Sequence, residues 1–296
     1  MTTTTVAVLG LGAMGLPMAR HLSATFPVSA YDIDPSRAAA AADVARVCST
    51  AREAATHATV ALVAVRNEEQ LLDLLWGDAG IAPALGDGAV VLLTSTVGIE
   101  AVRAVAARLA ADNVHLVDAP VSGGPARAGT GDLLVVVGAD DAAWEAGLPV
   151  LEAMASTLVR VGERAGDGQA MKTVNQLLCG VHIAAAAEAL ALAGALGLDQ
   201  ATTLRTLMAG AAASFMLGDR GPRALQAFDD GGAEVRSRLD IFVKDMGIVA
   251  AAAREAHVAT PVAGAAQALF LLGEAAGLGA EDDSSVIRLL GGHDHH

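Results

Sequence analysis

Val6-Ala7-Val8-Leu9 runs directly into Gly10-Leu11-Gly12-Ala13-Met14-Gly15, and this junction limits the architectures open to the chain. An apolar strand ending in glycine, then a helix pattern through Met18, Ala19 and Leu22, reads as a strand–turn–helix unit. In G-x-G-x-x-G spacing the first glycine permits a tight turn. The second lets the backbone approach a pyrophosphate, and the third lets helix and strand pack closely. The helix N-terminus then presents N–H groups to the phosphates. A second strand pattern, Val28 to Tyr31, closes on Asp32, 22 residues after Gly10. A carboxylate there can accept hydrogen bonds from the adenosine ribose and repel a 2′-phosphate. The combination predicts a dinucleotide site that favours NAD over NADP. Arg37 could reach a 2′-phosphate and reads instead as a solvated residue in a first helical turn.

The alternation continues. Apolar runs at Thr59 to Val65, Ala89 to Leu93, Val114 to Val117 and Leu133 to Val137 are separated by helical segments such as Arg37 to Ala42 and Glu100 to Ala111. Buried strands alternating with helices predict an α/β fold, a Rossmann-type doubly wound and mostly parallel sheet covered on both faces. Strand patterns stop at Gly168. Gly168 to Gly197 reads as a long central helix, apolar on nearly every side and therefore buried. Asp199 to Ala209, Arg236 to His257 and Pro261 to Gly277 read as further helices, and Gly210 to Gly232 as a looser connection. The expected domains are 1–165 for the nucleotide, 166–292 for an all-helical substrate and oligomerisation domain, and a polar tail at 293–296.

Composition excludes several function classes. The 296 residues are 53% hydrophobic and carry a net charge of −14, which argues against nucleic-acid and anionic-membrane partners. Cys48 and Cys179 have no paired spacing, so neither a disulfide framework nor a cysteine-based zinc site is expected. The tail His293-Asp294-His295-His296 reads as exposed polar sequence, and no metal is expected. The N-terminus carries no signal-peptide pattern, and the long apolar helix reads as a buried soluble helix. The expected location is the cytoplasm.

Three clusters carry chemistry. Lys172 and Asn175 stand three residues apart at the start of the long helix, so they share a face, and no acid lies between Asp167 and Glu188. Two polar groups on a mostly apolar helix cost free energy unless something uses them. Ser122-Gly123-Gly124, within Asp118 to Pro125, follows a strand and offers a hydroxyl with backbone N–H donors, suited to a small carboxylate. Thr94-Ser95-Thr96 puts hydroxyls at a strand's carboxyl end, where open α/β sheets bind ligands. Lys244-Asp245 reads alone as a solvated helix pair, and His182 as a hydrogen-bonded core histidine.

In order and spacing, the G-x-G-x-M-G start, the DAPVSGG run, the G-x-x-x-K-x-x-N run and the KD-x-G run at Lys244 to Gly247 resemble the 3-hydroxyisobutyrate dehydrogenase family over essentially the whole chain. NQLLCGVHIAAAAEALAL, DIFVKDMG and EDDSSVI resemble its L-threonate dehydrogenase subgroup. Ala212 to Met216 departs from that subgroup, since a polar residue is expected near Ala213.

The resemblance implies roles. Gly10, Leu11, Gly12, Ala13, Met14 and Gly15 hold the pyrophosphate and Asp32 the ribose. Val65 and Arg66 flank the cofactor, and Thr96 lies near the nicotinamide ribose. Ser122, Gly123 and Gly124 hold a substrate carboxylate. Lys172 is the general acid/base and Asn175 orients the reacting hydroxyl. Lys244, oriented by Asp245, closes on the cofactor. The implied reaction is NAD-dependent oxidation of a small hydroxy acid, with L-threonate oxidised at its 2-hydroxyl. Alternatives are oxidation of 3-hydroxyisobutyrate and reduction of tartronate semialdehyde. Imine reductases usually lack the lysine, and a non-enzymatic scaffold would have lost it. An apolar helical domain of this kind also implies a homodimer or homotetramer.

Overall fold

The structure is a computed structural model that describes residues 3–291. The expected polar tail at 293–296 lies outside the described residues. The chain divides into two compact units between Lys172 and Thr173.

Among the described residues the first unit holds nine strands: β1 (Val6–Leu9), β2 (Val28–Tyr31), β3 (Arg46–Val47), β4 (Val60–Val63), β5 (Val90–Leu93), β6 (His115–Asp118), β7 (Val121–Ser122), β8 (Leu133–Gly138) and β9 (Ala155–Gly162). Helices α1 (Gly15–Leu22), α2 (Pro35–Ala39), α3 (Ala51–Ala55), α4 (Glu68–Trp76), α5 (Ile99–Ala110), α6 (Gly124–Ala128) and α7 (Asp141–Met154) connect them. The sheet order is β3-β2-β1-β4-β5-β6-β8-β7, with β9 beside β8. Pairing is parallel except where β8 meets β6 and β7. Strand order reverses at β1, which pairs with β2 on one side and β4 on the other. Ligands bind open α/β sheets outside the carboxyl ends of strands at such a reversal, and the Gly10 turn leaves β1 there.

Side chains alternate between the two faces of the sheet. Val6, Val8, Val60, Leu62, Val90 and Leu92 join Met18, Ala19 and Leu22 in one core. Ala7, Leu9, Ala61, Val63, Val91 and Leu93 join Ala54, Leu71, Val102 and Val105 in the other. Successive residues of a strand point to opposite faces, so a strand buried on both must be apolar throughout. This is why these strands read as unbroken apolar runs. Strand β9 has only exposed and half-buried residues, and its apolar residues Leu158, Val159 and Val161 are interrupted by Arg160, so no such run announces it.

Helix α8 (Asp167–Ala195) begins in the first unit and continues into the second. Its first turn is tied to the first unit by the hydrogen bonds of Gln169 to Asp118, which keeps residues 167–172 with that unit. By length and composition α8 could cross a membrane. The expectation that it is buried all round is wrong. Val174, Leu178 and Leu192 are each more than half exposed, on a seam continued by Val181, Ala185 and Glu188. A sequence apolar on every side does not say which sides find partners.

The second unit continues with α9 (Gln200–Met208), α10 (Phe215–Gln226), α11 (Leu239–Glu255) and α12 (Pro261–Ala275). Phe242 on α11 stacks on Phe270 of α12, ring centroids 5.3 Å apart. Helix α10 corrects the reading of 210–232 as a loose connection. Ser214 caps it by accepting from Leu217 N, and its Arg223 is buried against Asp282 at 3.0 Å while Arg220 pairs with Asp283 at 2.9 Å. Tertiary ion pairs fix a helix whose Gly and Pro content reads as loop. His182 is half-buried, not a core histidine.

Candidate active site

The cofactor turn is built as its glycines require. Gly10 has a φ of +95°, and a Cβ there would collide with the Ala64 carbonyl oxygen of the loop after β4. A Cβ on Gly15 would collide with the Gly10 carbonyl oxygen. Gly12 differs, because a Cβ there would meet nothing nearer than the Arg37 guanidinium at 4.0 Å. Packing therefore explains Gly10 and Gly15 but not Gly12, and the space beside Gly12 is what an approaching pyrophosphate needs. No side chain caps α1, and its first turn has no acid. The helix thus sets no acid of its own first turn against its N-terminal amides, a fit for phosphate.

Asp32, buried at the end of β2, binds this turn to its own strand. Its Oδ2 accepts from Leu11 N at 2.6 Å and its Oδ1 from Asp34 N at 2.8 Å. Asp34 caps α2 through Ser36 N, and Arg37 lies 3.6 Å from its carboxylate on the solvent side. On β4's far end Val65 N donates to Ser95 Oγ at 2.8 Å, while exposed Arg66 donates its backbone N–H to Gln70 Oε1. Thr94 Oγ1 donates to Val63 O. Val65 and the Thr94-Ser95-Thr96 loop therefore form one piece at the carboxyl ends of adjacent strands β4 and β5, and Thr96 is half-buried within it.

Lys172 is the last residue of the first unit and is 8% exposed. Its Nζ donates to Ser122 Oγ at 3.0 Å, joining the α8 lysine to the β7 serine across 50 residues of sequence. Gly123 and Gly124 follow with φ of +137° and +72°, a backbone path that side chains rarely adopt. A buried amine beside a hydroxyl and a glycine turn can bind an anionic, hydroxylated ligand and exchange a proton with it.

Sequence reasoning missed Asp118 and Gln169. Asp118, fully buried at the end of β6, accepts from Gly166 N, Gln169 N and Gln169 Nε2, each at 2.8–2.9 Å. Burial pushes its pKa up to about 6, against the pull of these hydrogen bonds. Gln169 lies three residues before Lys172, and that spacing was the available signal.

In the second unit Asn175 Nδ2 donates to Gln176 Oε1 at 3.0 Å, and Gln176 Nε2 donates to Asp245 Oδ2. Asp245 is 3% exposed, and its Oδ1 pairs with Lys244 Nζ at 2.8 Å. The motif residues Asn175, Lys244 and Asp245 are thus joined through Gln176, which no motif singled out.

Residues 5–162 match the family model of the NAD binding domain of 6-phosphogluconate dehydrogenase. Residues 166–290 match the model described as NAD-binding of NADP-dependent 3-hydroxyisobutyrate dehydrogenase. The chain is 38% identical to L-threonate dehydrogenase of Cupriavidus necator over 289 residues, 97% of this chain and 96% of that one. It is 37% identical to L-threonate dehydrogenase of Escherichia coli strain K12 over 291 residues, 97% and 95% of the two chains. A crystal structure of 3-hydroxyisobutyrate dehydrogenase from Salmonella typhimurium superposes with a TM-score of 0.88 at 36% identity, covering 97% of this chain and 99% of that one. Nucleotide turn, buried lysine and relatives together define an NAD-dependent dehydrogenase of hydroxy acids. Within that class, the chain belongs to the 3-hydroxyisobutyrate dehydrogenase family.

Proposed function

We propose that this enzyme oxidises L-threonate at its 2-hydroxyl to the 2-oxo acid, using NAD in preference to NADP, with Lys172 as the proton acceptor. The observation that carries the residue assignment is the buried Lys172 Nζ donating to Ser122 Oγ. The substrate assignment is supported by the names of the relatives at 37–38% identity.

Oxidation removes a hydroxyl proton and a hydride from the same carbinol. NAD, when bound, supplies the hydride acceptor. Gly10 to Gly15 would hold its pyrophosphate, Asp32 its ribose, and Val65, Arg66 and Thr96 its nicotinamide side; Lys244 is the further residue that the family resemblance assigns to the cofactor. Ser122 Oγ and the backbone N–H groups of Gly123 and Gly124 hold the substrate carboxylate. Lys172 Nζ, in its neutral form, takes the hydroxyl proton; in reduction its ammonium form returns it to the carbonyl oxygen. Asn175 would orient the reacting hydroxyl, its side chain being held by Nδ2 donating to Gln176 Oε1 and Cys179 Sγ. Asp245 Oδ1 pairs with Lys244 Nζ at 2.8 Å and orients it.

The seam of exposed Val174, Leu178, Ala185, Glu188 and Leu192, with half-buried Val181 between them, supports self-association as a homodimer or homotetramer, since three- and four-residue spacing is that of a helix packing seam. Cys48 and Cys179, which form no disulfide among the described residues, suit a reducing cytoplasm. Light scattering of Leu178→Lys, expected to give a smaller species than wild type, checks the seam.

The test of the reaction is a panel of three- and four-carbon hydroxy acids with NAD, then NADP, followed at the NADH absorbance. The expected result is a kcat/KM for L-threonate at least tenfold above that for 3-hydroxyisobutyrate, tartronate semialdehyde being assayed in the reductive direction. A preference for 3-hydroxyisobutyrate or for semialdehyde reduction overturns the substrate assignment.

A further inference from the structure

Gln169 is fully buried, and its amide binds on both sides. Oε1 accepts from Val97 N at 3.0 Å and Gly98 N at 3.3 Å. Nε2 donates to Ser95 O at 3.1 Å and Asp118 Oδ1 at 2.8 Å. The partners fix the orientation of the amide, because two N–H donors face one end and a carbonyl and a carboxylate face the other. The backbone groups of Ser95 and of Val97 with Gly98 lie on either side of Thr96 in sequence. Ser95 Oγ also accepts from Val65 N. Lys172 follows Gln169 by three residues, one turn on and on the same face. A Cβ on Gly168 would approach Asp118 O at 2.5 Å, so the helix start sits hard against the end of β6.

We propose that Gln169 is a positioning residue for the dehydrogenation, clamping the Thr96 loop and the end of β6 to the first turn of α8 so that Lys172 is held in register with the nicotinamide side of the site. The inference rests on Lys172 being the proton acceptor. Asp118 is its fixed anchor: as a carboxylate it accepts from Gly166 N and Gln169 N on one oxygen and from the Gln169 amide on the other. An apolar side chain of similar size would fill the same space but leave Ser95 O, Val97 N and Gly98 N buried without the amide. Small misplacement of a reacting pair is enough to slow chemistry about a hundredfold.

A polarity swap tests this. Gln169→Glu keeps an acceptor for Val97 N and Gly98 N but sets a second carboxylate against Asp118. Adding Asp118→Asn restores the wild-type charge and reverses one hydrogen bond. The expected result for Gln169→Glu is a kcat lowered about a hundredfold, with an NADH dissociation constant within about threefold of wild type. The double variant should recover at least about tenfold of that loss. A folded Gln169→Glu with near-wild-type kcat, a loss matched by equal weakening of NADH binding, or a double variant no better than the worse single one overturns the positioning role. If Gln169→Glu does not fold, the double variant decides by the same kcat criterion.

In the cofactor-free protein, the Val97 and Gly98 amides should exchange with solvent at least about tenfold faster in Gln169→Leu than in wild type; unchanged exchange removes the clamp. Lys172→Ala is measured alongside. Near-wild-type turnover there refutes the proton-transfer assignment. Turnover lost there but kept in Gln169→Glu refutes only the positioning role.

Discussion

Lys172 Nζ and Ser122 Oγ lie 3.0 Å apart, one on α8 and the other on β7. The pair joins an amine that can carry a proton to a hydroxyl that opens a glycine turn. Removing each partner should therefore affect different constants. Lys172→Ala is expected to lower kcat by about 10²- to 10⁴-fold, the range for a lost general acid/base, while NADH binding measured by fluorescence stays near wild type. Ser122→Ala is expected to raise KM for the hydroxy acid about tenfold, equivalent to one hydrogen bond of about 1.4 kcal/mol. Steady-state kinetics over a range of substrate concentrations separates the two.

The three glycines of the nucleotide turn should respond differently to alanine. Gly10→Ala forces a side chain onto a φ of +95° and into the Ala64 carbonyl. It should destabilise the fold by on the order of 2–4 kcal/mol in urea unfolding. Gly12→Ala meets only open space and the tip of Arg37. Its stability should stay within about 0.5 kcal/mol of wild type, while its NAD dissociation constant rises at least about tenfold. Normal cofactor binding by a stable Gly12→Ala would remove the pyrophosphate from that space.

Asp32 divides its two oxygens between Leu11 N and Asp34 N, and Arg37 lies within reach of the same turn. Asp32→Ser keeps an acceptor and removes the charge that would repel a 2′-phosphate. The ratio of kcat/KM for NADP to that for NAD should rise at least about tenfold, from lost charge repulsion. An unchanged ratio would mean that Asp32 serves only the backbone of the turn.

Asp118 gives a pH signature. Its folded pKa is raised to about 6 from an ordinary value of 3.8. The folded state therefore holds this proton more tightly, and the stability this contributes is complete below about pH 4 and lost as pH rises through about 6. A shift of about two units corresponds to about 3 kcal/mol. Urea unfolding of Asp118→Asn and wild type between pH 4 and pH 8 should show the variant gaining relative stability with pH by up to that amount. A pH-independent difference between the two proteins would place the titration elsewhere.

Legibility in the sequence followed the range of the interactions. The nucleotide turn was readable because a strand, its glycines and the following helix are contiguous, and because strands β1, β4 and β5 are buried on both faces and so apolar throughout. Lys172 and Asn175 were readable from helical spacing. Helix α10 was not, since Gly218, Gly221 and Pro222 weaken its local signal while Arg220 and Arg223 hold it through Asp283 and Asp282, about 60 residues away. Strand β9 was hidden because an exposed strand needs no apolar run.

The sequence by itself determined the doubly wound sheet and its strand–glycine turn–helix start, and it singled out Lys172 as the residue proposed to move a proton. Local backbone chemistry and periodicity suffice for these. Only the tertiary structure decided that Gln169 and Gln176 are buried hydrogen-bond hubs, that Asp118 is a desolvated carboxylate, and that one face of α8 stays exposed. Each depends on which distant groups arrive beside a side chain. A buried amide and a solvated one have the same letter, and folding sets their different surroundings.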